Sequence, residues 1–252
     1  MRATFPHQLL RQEVVPRMVG MSLDPQQSIS GAETITPSMG GHWEATCSFV
    51  IHGEAAQLAW QAFRFQMEGR VGTTLVPMRT RFRPKDRDGH PVYGCGPAGL
   101  ADAQTWEHFG FDSAPVATMA LAEPAALRAT VIKVTAANTT GLRPGQLFSI
   151  GERLYGVQHH WVDAAGVTNL MIWPPLRQPL NTGALILDRP VCLMRMVSEN
   201  EGEFDHLLDR LPRVTCTFVE AMEDAVSSVA SPPPVLDGTP FDFVSVYQQA
   251  KQ

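Results

Sequence analysis

The stretch Gly141–Met196 reads GLRPGQLFSIGERLYGVQHHWVDAAGVTNLMIWPPLRQPLNTGALILDRPVCLMRM, and it decides the fold class. Gly141, Pro144 and Gly145 break the chain before Leu147–Ile150, a run suited to a strand. Gly151 and Glu152 turn it back into Leu154–Val157. Ala164–Gly166 make another turn before Val167–Trp173, and Pro174–Pro175 impose an extended exit. Turns at roughly 8–12-residue spacing, with β-branched and aromatic residues between them, predict a compact antiparallel β-module. No acid, base or nucleophile is concentrated there, so the stretch reads as scaffold.

Upstream, Pro6, Pro16, Pro25 and Pro37 punctuate the N-terminal region. Glu13–Ser22 is expected to be a strand and Asp24–Ser30 a polar loop. In His42–Ile51, Trp43, Ala45, Cys47 and Phe49 alternate with Glu44, Thr46 and Ser48, which gives a strand with one buried face. Glu54–Glu68 is a helix. Leu58, Ala62 and Phe65 fall on one stripe and Trp60, Phe63 and Met67 on its neighbour, so the apolar arc needs contacts on more than one side. Gly69 supplies a left-handed stop, and Val71–Met78 returns as a strand.

Downstream, Arg189–Val197 and Arg213–Glu220 read as strands, with Val214, Cys216 and Phe218 on one face. Strands before residue 80 and after residue 189 are expected to share a sheet, with the middle as an insertion. The expected fold is mainly β, with a sandwich or barrel domain, one flanking helix and an inserted small barrel-like module. Its parts are a discontinuous domain (1–82 and 189–225), a loop-rich segment (83–124), the inserted module (125–188), and a linker with a C-terminal arm (226–252).

Composition narrows the function. The 252 residues are 44% hydrophobic and 18% charged, with 20 Gly and 20 Pro, which favours turn-rich β structure and protein-covered surface. The formal net charge is −5, and the densest cationic stretch, Arg79–Arg87, contains a single aromatic, so specific nucleic-acid binding is disfavoured. Cys47, Cys95, Cys192 and Cys216 form no CxxC pair. The N-terminus lacks an apolar signal region and no run of apolar residues is long enough to span a bilayer, so folding in a reducing cytoplasm is expected.

Chemical constellations are sparse. His159 and His160 are adjacent and point to opposite faces of a strand, which disfavours a shared metal. Cys95, flanked by His90 and His108 with Asp102 and Asp112 nearby, sits in a Gly/Pro loop with no helix N-terminus to activate its thiol. Asp102, Glu107 and Asp112 are the best carboxylates for a glycoside hydrolase. Trp106, Phe109, Phe111, Trp161 and Trp173 could build a sugar-stacking platform. No GxSxG, HExxH, P-loop or dinucleotide fingerprint occurs. No catalytic residue, cofactor or metal is expected.

The order of elements resembles the distal tail and hub-type tail-tip proteins of long-tailed bacteriophages. The resemblance rests on FPHQLL and VVPRMVGMS followed by GGHWEATCSFVI, on AAQLAWQAFRFQMEGR leading to TTLVPM, and on LRPGQLFSIGERLYGV with NLMIWPPLRQPLNTGALILDRPVCLMRM closing on TCTFVEAM. It covers roughly residues 5–222. The Cys95 loop, residues 101–123 and the C-terminal tail fall outside it. The resemblance implies a tail-tube-like domain and a non-enzymatic ring, hexameric by preference and trimeric as second choice. Such a ring joins the tail tube to hub and receptor-binding components, passes DNA without specificity, and is assembled in the host cytoplasm into the virion. Subunit contacts are expected at Trp60, Phe63 and Met67, at Arg79, Arg81 and Arg83, and at Phe241, Phe243 and Tyr247. The rival readings are a carbohydrate-binding module of an adsorption apparatus, a cell-wall or polysaccharide hydrolase using Cys95 or Asp102, and a tube or head–tail connector protein.

Overall fold

The computed structural model describes residues 2–6, 10–38, 40–78, 82, 84–85, 89, 118–164, 166–187, 189–203 and 213–222. Arg2–Ala221 form one compact unit; Met1 and Met222–Gln252 form the other, of which Met222 alone is described. The chain is mainly β with one helix among the described residues. In order, the elements are β1 (Arg2–Ala3), β2 (Leu10–Val19), β3 (Gln26–Gln27), β4 (Glu33–Thr34), β5 (His42–Val50), α1 (Gly53–Met67) and β6 (Thr73–Pro77). There follow β7 (Thr118–Leu121), β8 (Val131–Ala137), β9 (Leu147–Ile150), β10 (Arg153–Val162), β11 (Thr168–Trp173), β12 (Ala184–Ile186), β13 (Val191–Met196) and β14 (Arg213–Glu220).

Strands from the two ends of the chain build one six-stranded sheet in the order β1-β6-β13-β14-β5-β2. All pairings are antiparallel except β1 with β6. The alternation along β5 buries Trp43, Ala45, Cys47 and Phe49 in the core that α1 shares, while His42, Glu44, Thr46, Ser48 and Val50 face away. Between α1 and the sheet lies an aromatic core: Phe49–Trp60 centroids are 5.3 Å apart, Trp60–Phe63 5.4 Å and Phe5–Phe63 5.9 Å. The buried Trp60 indole donates to the Gly202 carbonyl at 2.9 Å. A Cβ on Gly202 would stand 2.4 Å from that ring, so only glycine lets the backbone approach so closely.

The middle of the chain closes into a six-stranded barrel, β10-β11-β8-β7-β12-β9. Its interior is filled by Ile132, Val134, Phe148, Tyr155, Leu170, Ile172 and their neighbours. The barrel begins earlier than the sequence pattern suggests. Thr118–Leu121 forms β7 inside the stretch assigned to loop, and it pairs with both β8 and β12 to complete closure. Four residues carry too little periodicity to announce a strand. The helix also leaves its axis one residue sooner than expected, at Glu68, which is left-handed (φ 45°) together with Gly69 (φ 67°).

Candidate assembly interface

Among the described residues, the six-stranded sheet is covered by a helix on one face only. Register places Glu13, Val15 and Arg17 of β2 opposite Ser48, Thr46 and Glu44 of β5, which in turn face Thr215, Thr217 and Val219 of β14. Arg195 of β13 continues the row beside Val219. This face is lined by hydroxyls, and its charges are mixed in sign; Arg17 and Glu44 close an ion pair at 2.7 Å. At one edge, β2 has β5 as its sheet neighbour and no strand on its other side among the described residues. Pro16 within β2 removes one backbone donor, a residue tolerated on an edge strand and disfavoured inside a sheet.

Between β2 and β5 the chain makes an arm, where the sequence suggested a polar loop. Residues 21–38 fold into a hairpin held by Ser38 N–H to Met21 O (2.9 Å), Leu23 N–H to Thr36 O (2.9 Å), the β3–β4 pair and Ser28 N–H to Ala32 O (2.8 Å). At about 3.3 Å per residue, its eight-residue limb extends on the order of 25 Å. Residues 21–37 are all exposed, including Met21, Leu23, Ile29 and Ile35. A two-stranded hairpin without a core is marginal by itself in water. This one also offers four large apolar side chains to solvent.

The helix corrects one expectation. Trp60, Phe63 and Met67, assigned to a neighbouring subunit, are buried in the chain's own core with Ala56. The heavier stripe turned inward because it carries the most apolar area to remove from water. The lighter stripe remains outside: Leu58 is 55% exposed and Phe65 77%, with Ala62 between them and Val71 exposed just beyond the helix. Arg79, Arg81, Arg83, Phe241, Phe243 and Tyr247 lie outside the described residues, as do Cys95, Asp102 and Trp106.

A buried joint fixes barrel to sheet. Glu220, at the end of β14, is 1% exposed. Its carboxylate accepts from the Trp43 backbone N–H at 3.1 Å and from Arg177 at 3.3 Å, and it lies 3.7 Å from Arg153. Arg153 also donates to the Ala221 carbonyl and Arg177 to that of Gly41. The Trp43 indole donates to Leu154 O at 2.9 Å, and Leu193 N–H to Glu152 O at 2.8 Å. Trp173 packs here against Gly41, where a Cβ would sit 2.7 Å from its ring, so this tryptophan is structural. Burial pushes the Tyr155 phenol pKa up at the same joint. The residues that make the joint stand far apart in sequence, and only Trp43, as a buried strand residue, was foreshadowed there.

His159 and His160 lie on opposite faces of β10, and among the described residues no group of three or more His, Cys, Asp and Glu gathers. Burial raises the Cys192 and Cys216 thiol pKa values far above neutrality, which keeps them protonated and unreactive. No protein-family model matches the chain, and no curated protein matches it.

Proposed function

We propose that the protein is a structural ring component of a phage tail tip, of the distal tail type, joining the tail tube to the receptor-binding apparatus. The carrying observation is the arm at residues 21–38, an ordered hairpin with its apolar side chains in solvent. Such a feature gains its stability from a surface that the isolated chain does not supply. The bare Leu58–Ala62–Phe65 stripe is a second apolar surface, on a different element of the same chain. Two different patches that fit each other make a heterologous contact, and repetition about one axis closes a ring.

In this reading the open sheet face lines the channel. Hydroxyls and charges of mixed sign present little net positive charge, so DNA slides past without the counterion release that accompanies tight phosphate binding. The ring is hexameric, with a trimer as the alternative closure. Native mass spectrometry and negative-stain imaging test the proposal. The full chain is expected to form closed rings, and replacement of residues 22–37 by a short turn is expected to leave folded monomers. A wild-type chain that stays monomeric at high concentration, alone and with a tail-tube protein, would refute it.

A further inference from the structure

We propose that the outer face of the barrel around Trp161 binds a neutral glycan. Antiparallel register sets six side chains in two rows on this face: Trp161, Asn169 and Lys133, and beside them His159, Met171 and Val131. Trp161 is 40% exposed, Met171 38% and Val131 39%. The His159 and Trp161 rings are 6.1 Å apart. Lys133 is held by Glu123 at 2.9 Å, and the Asp163 carboxylate lies near it, which makes the rim polar and short of free positive charge.

Hydrogen bonds hold the tip of the platform. A register shift between Val157 and His159 re-aims this end of β10. The tip is tied by Asp163 N–H to Val167 O (3.0 Å), by Gly166 N–H to Asp163 O (3.0 Å), and by the Asp163 carboxylate accepting from Val167 N–H (2.9 Å). Asn169, buried beneath, donates its amide to Val167 O at 3.3 Å. A platform already in place loses little conformational freedom when a ligand settles on it.

The chemistry selects the ligand. The indole face is electron-rich and attracts the polarised C–H face of a sugar ring. An imidazole and an ammonium–carboxylate pair at the rim can exchange hydrogen bonds with hydroxyls at the ring's edge. The apolar area on offer is roughly 250 Å², far below the ~800 Å² per partner of a standard protein interface. It is about the size of one or two sugar rings. Barrel and arm are separate surfaces, so this inference does not rest on ring formation.

The test is binding of the full chain to an array of neutral hexose and N-acetylhexosamine glycans, followed by titration of hits with laminarin, cellohexaose or chitohexaose. Trp161→Ala is expected to weaken binding about tenfold or more, and Trp161→Phe to restore part of it. Met171→Arg, which raises a charged chain through the platform, should also abolish binding. Because all these side chains are partly exposed, circular dichroism is expected to be unchanged. No retention on any neutral glycan would overturn the proposal. So would binding unaffected by Trp161→Ala, or binding confined to dextran sulfate and lost in salt. A protein ligand, in place of a glycan, lost with Trp161→Ala would overturn it too.

Discussion

The barrel and the sheet have equal numbers of strands and opposite habits. The barrel closes on itself, leaves no edge, and fills its interior with its own side chains. Among the described residues, the sheet keeps a ten-residue edge strand, one face without a covering element and a projecting hairpin. Closure removes the backbone groups that would otherwise pair with another chain. In the proposed ring the open edge and the arm are the partner-binding side, and the barrel's outer face is the ligand-binding side.

That contrast can be broken at three points. The largest effect is expected at the helix that covers the sheet's inner face. Trp60→Ala removes the indole from the aromatic core and strands the Gly202 carbonyl, at a cost of about 4 kcal/mol in urea unfolding. A cost below about 1 kcal/mol would mean that α1 is not what holds the sheet's inner face. Next is the joint. Glu220→Ala leaves Arg153 and Arg177 without their buried anion, and should cost about 3 kcal/mol. Hydrogen exchange should then quicken at the Trp43 and Leu193 amides while the β8 and β11 amides stay protected. Equal loss in both places would mean that the barrel borrows its stability from the sheet. The smallest effect is expected at Phe65→Ser, which changes the exposed stripe and should move monomer stability by no more than about 0.5 kcal/mol. A larger loss would place Phe65 within the folded core.

Much of the sheet was legible because burial on one side imposes a period of two. β5 could be read residue by residue from HWEATCSFV, and the pairing of early with late strands followed from where that pattern stops and restarts. The helix was legible in extent and illegible in facing. Its sequence gives the width of the apolar arc, but the choice between the Trp60 and Leu58 stripes depends on what the sheet presents to it. β7 was missed because its four residues acquire meaning only when β8 and β12 flank them. The arm was missed because it lacks the buried face on which strand periodicity depends; its signals are local, the Ser28 hydroxyl accepting from Ala32 N–H (3.1 Å) and Gly31 at φ 78°. Of the proposed glycan platform, Trp161 was visible as a candidate sugar-stacking aromatic. Its neighbours on β8 and β11 were not, since cross-strand register is set by three-dimensional pairing.

The barrel leaves and rejoins the sheet at adjoining positions. β6 and β13 are antiparallel neighbours, and Met78 N–H donates to Pro190 O at 2.7 Å where the excursion departs and returns. In topological terms the whole module hangs from a two-stranded turn that has swollen into a passenger. Its two tethers are a hydrogen bond apart, so at this socket the size of the excursion asks nothing of β6 and β13. A lineage could exchange the payload only by rebuilding the Glu220 joint with it.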